Sequence, residues 1–187
     1  MKIKQFTIIV LVFASLSACT ITKTFDIEKQ SVESLQTFYK TYKISDFLIA
    51  KDLDQFRNLG KIERLTIPLN IVFDTDGREI VTFDKKLCSN HTLMFLKKYT
   101  DSLDYEKGDF TIDEYLNHFE ILGENAVTMS EIKKSKKIRV FLNTATYGNI
   151  GGLGNPNKEA LEIFNEFGSK YDIFFVNVDY IAKWDVK

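Results

Sequence analysis

Cys88 and His91 are the residues of this sequence whose types and spacing best suit nucleophilic chemistry. Cys88 comes just before a predicted helix that begins at Ser89 or Asn90, and His91 follows Cys88 by three positions. A helix N-terminus stabilises a thiolate, and a nearby imidazolium stabilises it further. The pattern therefore allows a reactive thiol. The alternative is a cysteine that packs beneath a neighbouring hairpin, with His91 in solvent.

A glycine-rich segment over residues 148–156 is the second candidate site. It contains Gly148, Gly151, Gly152 and Gly154 and runs from a predicted strand into a predicted helix, where phosphate-binding loops occur. Its spacing differs from that of the Walker loop and of the dinucleotide-binding motif. We interpret it either as a loop that binds some ligand or partner, or as a set of turns at one end of a sheet.

The other polar residues form no catalytic or metal-binding pattern. His91 and His118 are the only histidines, and neither has a cysteine or acidic residue at a zinc-site spacing. Asp74 and Asp76 flank a turn without the rest of a calcium loop. We therefore predict no metal and no cofactor. The basic cluster 133–137 is predicted to be a solvated helix end, or alternatively a contact for anionic lipid head groups.

The N-terminus resembles the signal peptide of a bacterial lipoprotein. A basic start precedes an apolar run over residues 6–13, which is too short to span a bilayer. The sequence Leu16-Ser17-Ala18-Cys19 that follows is similar to a lipobox. The resemblance implies that the chain is cut before Cys19 and that Cys19 is acylated. An ordinary cleaved signal peptide that happens to end near a cysteine is the alternative.

Lipidation of Cys19 would determine both the location and the chemistry of the chain. Several acyl chains anchor a protein firmly, and Thr20 differs from the aspartate of the inner-membrane retention signal. We therefore expect a protein of the cell envelope, anchored to the outer membrane and facing the periplasm. Cys88 would be the only thiol left, so no disulfide could form within the chain.

Length and composition predict a signal peptide over 1–18, a membrane tether over 19–27 and one globular domain over 28–187. Removing 18 of the 187 residues leaves 169, which suits one domain. The removed segment takes two lysines with it, so 23 basic residues stand against 26 acidic ones, a net charge of −3. Such a chain has no electrostatic footprint for nucleic acid.

Hydrophobic periodicity predicts an α/β fold with a mixed sheet, a hairpin and a terminal parallel β-α-β unit flanked by helices. Helical spacing and capping residues, among them a Thr111–Glu114 capping box, predict helices over 28–42, 89–103, from 111 onward and 155–168. Runs rich in β-formers predict strands over 47–50, 69–73, 79–83, 138–142 and 173–178. The Asp/Gly turn over 74–77 makes the second and third strands a hairpin.

Parts of the chain resemble a thioredoxin-type fold. Residues 140–148 are similar to that family's first core strand and the approach to its active site, and residues 175–179 are similar to its next strand. Residues 67–80 are similar to the family's second half, in which a cis proline, here Pro68, faces the reactive thiols. The halves occur in swapped order, which implies a circular permutation. Gly148 and Asn149 stand in place of Cys-x-x-Cys, so dithiol exchange lacks its thiols.

These observations favour a non-enzymatic envelope lipoprotein whose domain binds a protein partner or a small ligand at the periplasmic membrane face. One alternative is a thiol-dependent redox accessory protein that uses Cys88. Another is an immunity or inhibitor protein kept in the periplasm against an imported toxin. The thioredoxin-like interpretation also requires that Pro68 and the loop after Thr144 lie at the same end of the sheet.

Overall fold

The computed structural model describes residues 29–81, 87–99, 105–123, 127–147 and 155–185, and for residues 87–90 it describes the backbone. The predicted signal peptide, the tether and Cys19 lie outside these residues. So do the loop glycines Gly148, Gly151, Gly152 and Gly154. Within the described ranges, no helix has the length and apolar character needed to cross a membrane.

The described residues form six α-helices and eight β-strands. In order they are α1 Val32–Thr41, β1 Asp46–Ala50, α2 Leu53–Lys61, β2 Leu69–Phe73, β3 Arg78–Val81, β4 Leu87–Cys88, α3 Ser89–Lys98, β5 Glu106–Thr111, α4 Ile112–Leu116, β6 Phe119–Gly123, α5 Met129–Lys134, β7 Arg139–Thr144, α6 Pro156–Phe167 and β8 Asp172–Asn177. A short 3-10 helix over Ala182–Asp185 follows β8.

The strands form one mixed sheet in the order β5-β3-β2-β7-β8-β1-β6, and β4 pairs with β2 beside this path. The pairs β7–β8 and β1–β8 are parallel, whereas β2–β3, β2–β7 and β1–β6 are antiparallel. The predicted α/β class, the hairpin and the terminal parallel β-α-β unit are therefore confirmed. The parallel pair is continuous from Arg139 opposite Asp172 to Thr144 opposite Asn177.

Helices cover both faces of the sheet. One face packs on α1, α3 and α6, through buried residues such as Tyr39, Leu96 and Ile163. The other face packs on α2, α4 and α5, through Leu59 and Tyr115 among others. Complete burial of an apolar side chain of this size contributes roughly 1.5–3 kcal/mol. Helix α6 follows β7 on one face and α2 follows β1 on the other, and a crevice is expected where successive helices leave the strand ends for opposite faces.

Several boundaries differ from the sequence predictions for local reasons. The first helix begins at Val32, because Ser31 caps it by accepting a hydrogen bond from the Ser34 N–H at 3.1 Å. The helix predicted to reach residue 103 ends at Lys98. The Thr111–Glu114 capping box is confirmed, but its helix has only five residues. The sequence analysis did not predict α2, β4, β5, β6 or α5.

Candidate functional site at the carboxyl ends of β7 and β8

The carboxyl ends of three parallel strands meet at one edge of the sheet. Thr144 at the end of β7 lies opposite Asn177 at the end of β8. In β1, Leu48 lies opposite Val176, so Ala50 ends at the same edge. In open α/β sheets, ligands bind in the crevice outside such strand ends, where successive helices leave for opposite faces. This edge of the sheet is therefore the candidate functional site.

Pro68 lies at this same edge. β2 runs antiparallel to β7 with Asn70 opposite Leu142, so the residues before β2 lie beside the end of β7. The Asn143 side-chain amide fixes them by donating to the Arg64 carbonyl at 3.0 Å and to the Thr66 carbonyl at 3.1 Å. The Ile67–Pro68 peptide bond is cis. Pro68 and Thr144 thus share one end of the sheet, as the sequence resemblance requires.

Asn157 on the first turn of α6 holds the backbone that leaves β7. Its side-chain carbonyl accepts from the Ala145 N–H at 3.2 Å, and its amide donates to the Ala145 carbonyl at 2.7 Å. Asn157 is 3% exposed. It therefore satisfies both backbone groups of Ala145, as a neighbouring strand would.

Asp179 holds the next residue in the same way. One carboxylate oxygen accepts from the Thr146 N–H at 2.9 Å and from the Asn177 amide at 2.7 Å, and the other accepts from the Thr146 hydroxyl at 2.8 Å. Asp179 is 1% exposed and forms no ion pair with any described residue. Burial raises the pKa of Asp179, and the hydrogen bonds act in the opposite direction. A carboxylate surrounded by neutral donors is thus buried at the base of the loop.

Two tyrosines border this network. The Tyr39 hydroxyl lies 2.7 Å from the Thr144 hydroxyl, which donates to the Val176 carbonyl, so Tyr39 is the donor to Thr144. Burial raises the pKa of Tyr39 well above its ordinary value. Tyr147, the last described residue before the loop, is half-buried. Burial and, to a smaller extent, the charge of Asp179 raise the pKa of Tyr147 to about 12. Both tyrosines are therefore neutral at physiological pH.

The backbone of Cys88 reaches this end of the sheet as well. Cys88 pairs with Leu69 through β4 and β2, directly after Pro68. Helix α3 begins at Ser89, so Cys88 precedes the helix, and His91 is an exposed residue of its first turn. The Cys88 side chain lies outside the described part of the chain. Whether its thiol is near the His91 ring therefore stays a prediction.

The remaining residues singled out from sequence have structural roles. The His118 Nδ1 lies 2.6 Å from the Gln55 side-chain oxygen, and burial, followed by the charge of Lys51, lowers the pKa of His118. Asp74 forms the hairpin turn by accepting from the Asp76 and Arg78 N–H groups, each at 2.9 Å. Among the described residues, no group of His, Cys, Asp and Glu is arranged to hold a metal ion.

Sequence reasoning identified the loop but missed the residues that hold it. Asn143, Thr144, Asn157, Asn177 and Asp179 are all buried at this edge. A usable signal was present, because polar residues directly follow the apolar runs of β7 and β8. Buried polar groups need partners, so such residues predict a shared hydrogen-bond network.

No protein family, no curated protein and no solved structure matches this chain. The function must therefore be inferred from the geometry of the site.

Proposed function

We propose that this chain is a lipid-anchored protein of the cell envelope whose α/β domain binds a protein partner or a small ligand, without catalysing a reaction. The binding site is the crevice at the carboxyl ends of β7 and β8, together with the loop that follows Tyr147. One observation supports this proposal above the others. The described chain on both sides of that loop is fixed by side-chain hydrogen bonds.

Three side chains do this fixing. Asn157 and Asp179 hold Ala145 and Thr146 before the loop, at the distances given above. After the loop, the Asn155 side chain accepts from the Lys158 N–H at 3.0 Å and caps α6. Binding residues are often carried on loops that a rigid scaffold positions. The fixed ends of this loop therefore favour a role in binding.

The chemistry of Asp179 favours a binding role over proton transfer. A general base needs a carboxylate oxygen that can reach a substrate proton. Both oxygens of Asp179 already accept hydrogen bonds, and the residue is 1% exposed. Burying a charge without an opposite charge is costly. The two hydrogen bonds that Asp179 accepts from Thr146 at the loop base, and the one that it accepts from Asn177, offset part of that cost.

The position of the first described residues agrees with a lipid anchor near this site. Gln30 donates its N–H to the Tyr180 carbonyl at 2.9 Å and pairs with Ile181, both beyond the carboxyl end of β8. The proposed anchor, Cys19, is ten residues before Lys29, and ten extended residues span at most about 35 Å. The proposed crevice would thus lie close to the membrane surface, within reach of partners held there.

Site-specific photo-crosslinking in cells tests this proposal. We expect a photoreactive phenylalanine derivative in place of Tyr147 to yield one defined product, and the same derivative in place of exposed Glu162 on α6 to yield none. Adding Asp179→Ala should weaken the product by releasing the loop base, while the free energy of unfolding reports whether the variant is folded. Equal labelling at both positions would contradict the proposal. A secreted toxin as the captured partner would identify an immunity protein.

A thiol-dependent redox accessory protein is the second candidate, favoured by one observation. The Leu69–Cys88 pairing brings the backbone of Cys88 to the edge that contains Pro68 and Thr144. Alkylation of the folded protein with iodoacetamide across pH tests it. A thiolate stabilised by the helix would react at a pH well below the ordinary thiol pKa of about 8.5. A thiol that reacts only after denaturation would exclude this candidate.

A permuted thioredoxin-like arrangement is the fold that we propose for the central strands. The strand order β3-β2-β7-β8 supports this arrangement. In it, β7 pairs antiparallel with β2 and parallel with β8. The shared location of Pro68 and Thr144 agrees with it. This proposal concerns the fold alone, because Cys-x-x-Cys is absent from the sequence.

A further inference from the structure

A groove of about 360 Å³ lies at the opposite end of the sheet, where β7 and β8 begin. We call it the basic groove, and the residues that line it include Thr75, Tyr99, Lys136, Lys137, Lys170 and Tyr171. Three lysines thus converge on one concavity from the starts of two adjacent strands. The crevice proposed above uses none of these residues.

Two buried tyrosines form the floor of the basic groove. Tyr171 is 4% exposed and Tyr99 is 8% exposed. Their ring centroids lie 6.1 Å apart in an edge-to-face arrangement, and the Tyr171 hydroxyl donates to the Leu96 carbonyl at 3.3 Å. The Lys170 ammonium lies 4.9 Å from the Tyr171 ring centroid. Both tyrosines therefore belong to the packed core, and the Lys170 ammonium lies against one of their rings.

The charges around the basic groove leave it positive. Lys137 lies 3.4 Å from Asp172, whereas Lys136 and Lys170 form no ion pair within the described part of the chain. The acidic residues of the adjacent turn, Asp74 and Asp76, contact Lys107 at 2.6 and 3.2 Å. The described lining contains no carboxylate. Concave surfaces lined by one sign of charge concentrate ions of the opposite sign.

We propose that the basic groove binds a phosphate-bearing ligand of small-molecule size. Lysine ammonium groups each offer three donors and bind phosphate as point charges. The exposed Thr75 hydroxyl adds a neutral donor, and the aromatic floor suits the carbon part of a ligand. A volume of about 360 Å³ lies within the usual range for ligand pockets, roughly 300–1,000 Å³.

The ligand is inferred to be soluble and not a head group of the anchoring membrane. The described chain begins at Lys29, beyond the carboxyl end of β8, and the basic groove lies at the amino end of that strand. The six residues of β8 separate the two ends by about 20 Å. This step rests on the proposed lipid anchor, whose tether would join the domain at the end opposite the groove.

Calorimetric titration of the full chain in a neutral detergent with inorganic pyrophosphate tests the site. We expect Lys136→Ala combined with Lys170→Ala to weaken binding at least tenfold. The matched control, Lys61→Ala with Lys158→Ala, removes the same charge from two exposed lysines outside the groove and should bind like the wild type. Equal thermal midpoints would establish that both double variants are folded. Absence of pyrophosphate binding, or an equal loss in both variants, would overturn the proposal.

Lysine acetylation followed by mass spectrometry distinguishes the possible sources of the anion. In phosphatidylcholine nanodiscs, pyrophosphate should protect Lys136 and Lys170 but not Lys61 and Lys158. Protection by phosphatidylglycerol nanodiscs without pyrophosphate would show that membrane head groups occupy the groove, and would overturn a soluble ligand.

Discussion

At the scale of single residues, Asp179 is a buried carboxyl group without an ion-pair partner among the described residues. Its three hydrogen-bond donors are neutral, and burial raises its pKa above the ordinary value of 3.8. The folded state therefore favours the protonated carboxyl more than the unfolded state does. Consequently the stability that this group contributes is largest below pH 3.8 and falls as the pH rises through the raised pKa.

Asp179→Asn separates the charge of this residue from its hydrogen bonds. An asparagine retains an acceptor for the Thr146 and Asn177 donors, and its amide can donate to the Thr146 hydroxyl. We expect Asp179→Asn to be at least as stable as the wild type at pH 7, and Asp179→Ala to lose about 1–3 kcal/mol. Urea unfolding at pH 4 and pH 7 measures this. A wild-type stability that rises relative to Asp179→Asn between these pH values would contradict the assignment.

At the scale of elements, Asn157 joins helix α6 to the chain that leaves β7. Side-chain amides can replace a neighbouring strand only if both of their polar atoms face the backbone, as those of Asn157 do. The loop over residues 148–154 starts three residues beyond this contact. The position of Ala145 at the base of this loop therefore depends on one side chain of the helix that follows it.

Asn157→Ala should loosen the loop base without disturbing the sheet. The variant leaves the buried N–H and carbonyl of Ala145 without partners, so we expect a loss of about 2–4 kcal/mol. Hydrogen exchange at Ala145 and Thr146 should become faster, whereas exchange at Phe141 within β7 changes only as global stability requires. Asn165→Ala, at an exposed position of the same helix, is the control. Uniformly faster exchange across β7 would argue against a local role.

Also at the scale of elements, the central strands were predictable and the edge strands were not. Residues 69–73 and 173–178 are apolar apart from Asn70 and Asn177, as expected for strands whose two faces are both covered. In contrast, β5 contains the polar sequence Glu106-Lys107-Gly108-Asp109 and is held by backbone pairing with β3. The helix predicted from residue 111 onward would have included Phe119. Instead, Phe119 begins β6, because that segment pairs with β1. A strand that is held mainly by backbone pairing with a distant segment has little hydrophobic periodicity in its own sequence. Such a strand is therefore hard to predict from sequence.

At the scale of the whole molecule, the two ends of the sheet differ in their chemistry. The carboxyl ends of β7 and β8 carry a buried, neutral-donor network and lie next to the first described residues. Their amino ends carry the three lysines of the basic groove. An anchor at Cys19 would therefore orient the molecule, with the crevice toward the membrane and the basic groove away from it. This orientation depends on the proposed lipid, which a fractionation experiment can test.

Cys19→Ala should move the protein out of the membrane fraction. The substitution removes the thiol that the lipobox resemblance identifies as the acylation site, and no described helix can span a membrane in its place. Cys88→Ala, which removes the other thiol, should leave fractionation unchanged. Metabolic labelling with a palmitate analogue gives an independent readout and should disappear only in Cys19→Ala. A Cys19→Ala chain that still sediments with membranes would contradict the anchor.

By itself, the sequence determined the α/β class, the hairpin, the terminal β-α-β unit and the helix starts capped by Thr111 and Asn155, because each depends on residues close together in the chain. It also indicated which loop could be functional. Only the tertiary structure decided that Asn157 and Asp179 hold the base of that loop, and that Lys136 and Lys170 share one groove. These residues lie far apart along the chain. Their convergence depends on strand order and register, which arise from pairing and packing of the whole sheet.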